Sequence, residues 1–385
     1  MKLKCRKENY LGTIRRKEFT NKRFSRMNYH IVLTRRCNLN CSYCHGGEQN
    51  EDTEITYSLD EIDSFLEQDR DPQLMLYGGE PTLRIQTMIE MMEKFSDARF
   101  MLQTNALLLN KIPQKYVKRI HSILVSIDGR KYVTDGYRSR GVYDKVLENV
   151  RWLRDINYPG DVVARMTVSQ QSDIYRDVNH LLDFEDPSFD YVHWQLNVIW
   201  DAEGNWQNFD KWVEESYNPG ITRLASEWVE TMESGEVKGI VPFMPIMYTL
   251  LTGEPSRLRC GSGIDTFAIH VDGRIGICPI SPDWDFSIVG DIYNTKPKDL
   301  RDVMTADEPC PSCEVYDVCG GRCLFSNKQR LWGEEGFNKV CTTVKHLIKE
   351  LESCIPRVQK LVNQGVIDIE QLNYPEFNNG CEIIP

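Results

Sequence analysis

Short apolar runs alternate with amphipathic stretches from residue 28 to residue 198. Each run is bounded by turn residues or by a helical pattern, which is typical of buried strands. The predicted strands are residues 30–33, 73–77, 99–103, 122–127, 162–168 and 191–198. The helical patterns between them include residues 59–68, 143–156 and 174–184. This alternation predicts an α/β fold with a parallel sheet, and six β/α units fit a partial (β/α)6 barrel.

The remainder of the chain has a different pattern. Residues 236–259 favour a helical bridge, and residues 345–362 favour a helix. Between them, Asp272-Gly273 separates two apolar runs, which is a strong signal for a two-residue β-hairpin. We therefore expect a small cysteine-rich domain after the barrel. The expected regions are a basic N-terminal arm (1–27), the barrel (28–235), the bridge (236–259), the cysteine-rich domain with its hairpin (260–345) and a C-terminal helix and tail (346–385).

The composition is that of an ordinary globular protein, with 41% hydrophobic and 27% charged residues among 385. No apolar run approaches the length that spans a bilayer, so we expect no membrane partner. The net charge of −11 argues against a nucleic-acid partner, although Lys and Arg concentrate in the predicted arm. The 13 cysteines are an odd number in short spacings and do not form a disulfide framework. They predict metal binding in a reducing cytoplasm.

Three cysteines follow the first predicted strand in a C-x3-C-x2-C spacing: Cys37, Cys41 and Cys44. Thiolates this close on one loop can face one metal centre, and cysteine sulfur favours iron–sulfur clusters or zinc. The loop lies at the carboxyl end of a strand, where α/β folds place their chemistry. A zinc site lacking its fourth ligand and a chance spacing are the alternatives.

The stretch T-R-R-C-N-L-N-C-S-Y-C-H at residues 34–45, together with G-G-E-P at residues 78–81, resembles the signature of the radical S-adenosylmethionine (SAM) superfamily. The resemblance implies a 4Fe-4S cluster held by three cysteines, with one iron open to the amino and carboxylate groups of SAM. It also implies reductive cleavage of SAM to methionine and a 5′-deoxyadenosyl radical, which removes hydrogen from an unactivated C–H bond.

Residues at the strand ends are the SAM contacts that this resemblance implies. Gly78 and Gly79 would let the backbone approach the amino group of SAM, and Ser126 and Asp128 fall where the family contacts the ribose. Arg165, which would be a costly unpaired charge in mid-strand, suits the SAM carboxylate. The full set is Tyr43, Gly78, Gly79, Glu80, Asn105, Ser126, Asp128, Arg165 and Asn197.

Structural interpretations of these and neighbouring residues stay open. Ser126 and Asp128 can cap a turn, and Arg165 can pair with a structural carboxylate. Arg138 is expected at the surface. The histidines expected to pack or to form hydrogen bonds, without a functional partner at i, i+4, are His45, His193 and His270.

A second group of cysteines contains the spacing C-x2-C-x5-C-x3-C and resembles the SPASM extension of peptide-modifying radical SAM enzymes. The resemblance implies two auxiliary 4Fe-4S clusters. One would be held by Cys310, Cys313, Cys319 and Cys341 (the four-cysteine site), and the other by Cys260, Cys278 and Cys323 (the three-cysteine site). No cysteine lies between Cys260 and Cys278, which leaves the fourth ligand of the latter unassigned. A zinc ribbon is the alternative.

The predicted function is radical SAM modification of a peptide or protein by oxidation, thioether formation or C–C cross-linking. It requires three 4Fe-4S clusters, SAM and a reductant such as flavodoxin or ferredoxin. The alternatives are a SPASM-type enzyme acting on a small molecule and a non-catalytic iron–sulfur electron carrier. Cys5, Cys354 and Cys381 are expected to be inert thiols, with Cys354 or Cys381 as the alternative fourth ligand of the three-cysteine site.

Overall fold

The computed structural model describes residues 26–44, 53–69, 71–199, 206–374 and 384–385. Nearly all of the predicted basic arm lies outside the described residues, as do His45, Cys5 and Cys381.

One sheet runs through the described part of the chain, with strand order β6-β5-β4-β3-β2-β1-β7-β8-β9. Strands β1 to β6 pair in parallel with their neighbours in chain order. The strands are β1 Asn28–Val32, β2 Gln73–Tyr77, β3 Arg99–Thr104, β4 Ile120–Ser126, β5 Asp161–Val168, β6 Tyr191–Leu196, β7 Thr266–Ile269, β8 Arg274–Gly276 and β9 Ile288–Asp291. The predicted parallel α/β sheet is confirmed.

Helices lie between the parallel strands and continue after them. Within the described ranges they are α1 Leu59–Leu66, α2 Ile85–Lys94, α3 Gln114–Val117, α4 Lys131–Arg138, α5 Val142–Asp155, α6 Ile174–Leu182, α7 Phe209–Trp212, α8 Asn218–Glu233, α9 Phe243–Thr252, α10 Pro297–Leu300, α11 Tyr316–Cys319, α12 Leu324–Gln329 and α13 Gly333–Asn363. Ser58 begins α1 with a capping box, in which its hydroxyl accepts from the Glu61 backbone N–H and its own N–H donates to the Glu61 carboxylate. None of the described helices is long and apolar enough to cross a membrane.

The two faces of the sheet bury different residues because side chains alternate along a strand. Phe100 and Leu102 on β3 belong to the main core that the helices cover. Met101, between them, belongs to a smaller apolar cluster with Val163 on β5, which Tyr374 joins. Arg165 follows Val163 by two residues, so the same alternation directs a charged side chain to this second face near the carboxyl end of β5.

The hairpin predicted around Asp272-Gly273 is present as β7 and β8, with Gly273 at φ 81°. However, β7 also pairs in parallel with β1, with Asn28 opposite Thr266 and Ile31 opposite Ile269. The backbone N–H of Asn28 donates to the Asp265 carbonyl at 2.8 Å. The cysteine-rich region therefore extends the sheet that carries the first cysteine loop, whereas the sequence pattern predicted a separate small domain.

The C-terminal helix is longer than its pattern predicted. α13 begins at Gly333 and crosses the predicted boundary at residue 345 without a break. It packs on α8 and α9, so it joins the cysteine-rich region to the end of the barrel region and to the bridge. The bridge is helical as predicted, since α9 occupies its centre.

Candidate active site

The first cysteine loop is gathered immediately after β1. The backbone N–H of Cys44 donates to the Cys41 carbonyl at 3.0 Å, and the N–H of Leu39 donates to the Cys37 sulfur at 3.4 Å. Burial raises the pKa of the Cys37 thiol, and it raises the pKa of Cys41 to about 11. The adjacent Cys44 sulfur adds to both increases.

Gly78 and Gly79 fix this loop against the end of β2. The N–H of Gly79 donates to the Thr34 carbonyl at 2.8 Å, and the N–H of Glu80 donates to the Arg36 carbonyl at 2.8 Å. A Cβ at Gly78 would overlap the Thr34 carbonyl, and one at Gly79 would overlap the Arg36 carbonyl. The glycines are required here for contact between two backbones, while the predicted approach of SAM to the same segment stays a prediction.

Glu80 is fully buried, and protein donors surround its carboxylate. It accepts from the Thr82 N–H at 2.9 Å, from the Thr82 and Thr104 hydroxyls at 2.6 and 2.7 Å, and from the Asn105 N–H at 2.7 Å. Burial raises the pKa of Glu80, and these hydrogen bonds oppose the increase. Glu80 thus holds Asn105, whose side-chain amide donates to Asn38 at 2.7 Å and lies 3.9 Å from the Cys37 sulfur.

Asp128 forms a buried ion pair with Arg138, whose Nε and Nη2 each lie 2.8 Å from a carboxylate oxygen. Asp128 also accepts from the Tyr43 hydroxyl at 2.8 Å and from the Thr167 N–H at 2.9 Å. Burial alone would lower the pKa of Arg138, but the adjacent Asp128 carboxylate holds it above its usual value. The expectation that Arg138 lies at the surface is wrong, because Asp128 requires a buried counter-charge. Asp128 therefore anchors Tyr43, next to the third cysteine, to the end of β4.

Arg165 lies in a row of polar side chains across three strands, with Ser126 opposite it on β4 and His193 opposite it on β6. Its Nη1 lies 2.7 Å from His193 Nδ1, and its Nη2 donates to Gln195 at 2.9 Å. These partners are neutral or weakly basic, and the buried Arg165 Nε has no hydrogen-bond acceptor among the described residues. The hydrogen-bonding prediction for His193 is confirmed. Asn197, buried one residue beyond β6, accepts from Trp206 through its backbone carbonyl at 2.8 Å.

The four-cysteine site surrounds one cavity of about 30 Å³, which all four cysteines line together with Tyr316, Arg322 and Phe337. The Asn327 amide donates to the Cys310 sulfur at 3.4 Å. Burial raises the pKa of Cys310 to about 11, and the neighbouring thiolates of Cys319 and Cys341 contribute. The structure therefore brings together the four cysteines that the resemblance paired.

The segments that carry the three cysteines of the three-cysteine site contact one another through residues beside the cysteines. Leu258, Ile277 and Leu324 form a small cluster against which Cys278 packs. Leu324 follows Cys323 directly, and the Ser262 hydroxyl donates to the Ile277 carbonyl at 2.7 Å, which ties the Cys260 segment to the hairpin. Cys354 is elsewhere: it is buried, with its sulfur 4.0 Å from the Ala225 carbonyl on α8, in agreement with the predicted inert thiol.

The cysteines of these sites are suited to hold iron–sulfur clusters, and Arg165 is suited to contact SAM. Cysteine sulfur is the ligand of such clusters, and two separate groups of converging thiols are present. Among the described residues, no three His, Cys, Asp or Glu side chains are close enough to hold a single metal ion. The unmatched Arg165 Nε offers a donor for an anionic group such as a carboxylate.

Residues 31–181 match the family model of the radical SAM superfamily. This part of the chain is similar to radical SAM domains. The first curated relatives match a shorter part of the chain: an AdoMet-dependent heme synthase of Methanosarcina barkeri is 32% identical over 149 residues, which is 36% of this chain and 42% of that protein. The chain thus spans about two fifths of the length of these relatives. A Fe-coproporphyrin III synthase of the same organism aligns further, at 27% identity over 336 residues, covering 75% of this chain and 81% of the relative.

Solved structures share the fold over most of the chain. The structure described as native anSMEcpe with bound AdoMet has a TM-score of 0.69 at 18% identity and covers 88% of this chain and 99% of its own. Streptococcus suis SuiB bound to its precursor peptide SuiA has a TM-score of 0.53 at 14% identity, covering 78% and 72%. Most of this chain therefore shares its fold with these two proteins.

Several residues near the cysteines were missed from the sequence. Asn38 and Asn327 contact cysteine sulfur or its neighbours, and Gln195 holds Arg165. Asn38 lies inside the cysteine motif, so its position was a usable signal. Nothing in local sequence indicates Gln195 or Asn327, because their partners are distant along the chain.

Proposed function

We propose that this chain is a radical SAM enzyme that modifies a peptide or protein. The observation that carries the proposal is the convergence of four cysteines on one cavity in addition to the loop cysteines. A domain that only cleaved SAM would need the loop alone, so a second cysteine site supports a reaction in which electrons leave the substrate. The fold likeness includes anSMEcpe structures described with bound peptide, which favours a peptide as the substrate class.

Each group of residues has its own role in the proposed reaction. Cys37, Cys41 and Cys44 hold the SAM-binding cluster, and Asn105 is held beside Cys37 by Glu80. When bound, the cluster and SAM supply a 5′-deoxyadenosyl radical that removes a substrate hydrogen. Arg165 orients the SAM carboxylate through its free Nε, and Ser126 and Asn197 line the strand ends that face the nucleoside.

The auxiliary sites receive the electron that such a modification releases. The four-cysteine site is complete in protein ligands, whereas the three-cysteine site leaves one iron position for a substrate thiolate or another ligand. The electron donor is a small cytoplasmic reductant such as flavodoxin or ferredoxin, and the enzyme works in the reducing cytoplasm.

A small-molecule substrate is the second candidate, favoured by the long alignment with the Fe-coproporphyrin III synthase. Arg165 and the auxiliary cysteines would be retained in either reaction, so they do not separate the two candidates.

One experiment separates them. The anaerobically reconstituted protein is incubated with SAM and dithionite, first alone, then with Fe-coproporphyrin III, and then with peptides made from short cysteine-rich reading frames adjacent to its gene. We expect 5′-deoxyadenosine in all reactions and a mass change only on a peptide. A mass change on the porphyrin, with none on any peptide, would overturn the peptide proposal, and the absence of 5′-deoxyadenosine would indicate an electron carrier.

A further inference from the structure

Arg322 lies between two predicted cluster ligands, Cys319 and Cys323, in an unusual setting. Its φ of 54° is in the left-handed region, where non-glycine residues are uncommon. Its side chain is only 6% exposed. It lines the cavity of the four-cysteine site and also a second, smaller cavity of about 10 Å³ bounded by Val198, Ser326 and Trp332. Arg322 therefore separates the four-cysteine site from the residues that follow β6.

The charge of Arg322 has no carboxylate partner among the described residues. Its buried Nε has no hydrogen-bond acceptor in the part of the chain that the structure describes. The nearby acidic side chains are engaged elsewhere: Glu334 pairs with Arg330, Glu314 with Lys345 and Asp307 with Lys328. A buried guanidinium left unpaired is costly, so a group of negative charge is expected beside it.

The cysteine thiolates are the negative groups that Arg322 faces. All four cysteines of the site line the same cavity as Arg322, so the guanidinium lies beside the positions of their thiolates. Lys345 and Arg330 are also near Cys341, but Lys345 is about half exposed and both already have carboxylate partners. Arg322 is therefore the one cation lining this cavity in the described residues whose charge is available to the site.

We propose that Arg322 is the buried counter-charge of the cluster held by the four-cysteine site and raises the reduction potential of that cluster. Reduction adds one electron to an already anionic iron–thiolate centre and transfers no proton. A fixed positive charge in a low-dielectric environment stabilises the more negative reduced state more than the oxidised state. Arg322 acts here as a tuning residue, and the inference rests on the auxiliary cluster of the proposed function.

The test uses the full chain carrying Cys37→Ala, Cys41→Ala and Cys44→Ala, so that only auxiliary clusters contribute to the signal. Potentiometric titration followed by electron paramagnetic resonance is performed with Arg322, Arg322→Lys and Arg322→Gln. Arg357→Gln is the matched control, since Arg357 lies on the helix of Cys341 but pairs with Glu233 at the surface. Iron is counted in every variant.

We expect Arg322→Gln to move the midpoint of one auxiliary cluster to a more negative value, Arg322→Lys to move it less, and the control to leave it unchanged. An unchanged midpoint in Arg322→Gln with full iron would overturn the inference. Should Arg322→Gln lose four iron while Arg322→Lys keeps them, the counter-charge role is supported; loss in both would make Arg322 a structural residue instead. A parent protein without iron beyond the loop cluster would refute the auxiliary site of the proposed function, a result distinct from these.

Discussion

Arg165 and His193 face each other across β5 and β6, with 2.7 Å between Nη1 and Nδ1. A guanidinium can only donate, so His193 Nδ1 is the acceptor and the ring is neutral in this contact. The pair orients the arginine but does not neutralise it. Its charge is therefore available to a bound anion.

The first prediction follows from that free charge. Arg165→Lys keeps the charge but loses the planar fork that holds His193 and Gln195 while offering Nε to a carboxylate. We expect weaker SAM binding, by about tenfold or roughly 1.4 kcal/mol, with unchanged iron content. Equilibrium dialysis with labelled SAM measures the affinity, and Arg151→Lys, at an exposed pair with Asp186, is the control. Equal affinity in the two variants would assign Arg165 a structural role.

The second prediction concerns the three loop cysteines. Replacing Cys37, Cys41 and Cys44 together by Ala should abolish 5′-deoxyadenosine formation with dithionite, because no other group in the proposal binds SAM through iron. Cys354→Ala is the matched control, since Cys354 is buried against α8 and should leave the yield unchanged. Chromatographic quantification of 5′-deoxyadenosine decides between them, and residual SAM cleavage in the triple variant would place the catalytic centre elsewhere.

The third prediction concerns the buried pair of Asp128 and Arg138. Arg138→Met removes one partner and leaves a buried carboxylate without its counter-charge, which costs about 3 kcal/mol of unfolding free energy. Arg151→Met at the exposed pair with Asp186 should cost less than about 1 kcal/mol. Urea denaturation of both apo variants measures the difference. If Arg138→Met and Arg151→Met had similar free energies of unfolding, water would be solvating the Asp128 carboxylate in place of Arg138.

The fourth prediction is a pH dependence set by His270, which lies after β7 at the start of the hairpin turn. Burial lowers its pKa from 6.5 to about 4, with Asp272 and Asp283 opposing this and Arg274 and Arg35 adding to it. The unfolded chain therefore binds the proton more readily between these values, so stability is complete above pH 6.5 and falls as the pH approaches 4. The loss amounts to about 2 kcal/mol between pH 7 and pH 5.

His270→Gln removes the titrating ring and should flatten this part of the curve. Chemical denaturation at pH 7 and pH 5 gives the comparison, and His346→Gln, at a partly exposed histidine of α13, should keep the parental pH dependence. If the parental and His270→Gln proteins lose the same free energy of unfolding between pH 7 and pH 5, a group other than His270 causes the loss of stability in acid.

The three-cysteine site gives the fifth prediction. Because Cys354 is committed to the core, Cys354→Ala should retain three clusters, or about twelve iron per chain. Cys381→Ala should do the same, and a thiol-bearing peptide should then perturb the spectrum of one auxiliary cluster, as an open iron position predicts. Loss of four iron in either variant, or a spectrum unaffected by the thiol, would make this site a closed electron conduit.

The sequence predicted local features better than distant ones. The bounds of β2 follow from its apolar run, and the hairpin follows from Asp272-Gly273, because both depend on neighbours in the chain. The pairing of β7 with β1 joins residues more than two hundred positions apart, and no local pattern encodes such a choice. Arg138 was misjudged for the same reason, since its burial depends on Asp128 at the end of another strand.

The link between β1 and β7 has a practical consequence for dividing the chain. A fragment ending at residue 235 would contain all six parallel strands β1 to β6 but would leave β1, a fully buried strand in the native sheet, as a bare edge. Exposed apolar edges recruit strands from other molecules, so such a fragment should self-associate. The segment from β1 to β6 therefore needs the cysteine-rich region to cover its edge, and the two regions are expected to unfold together.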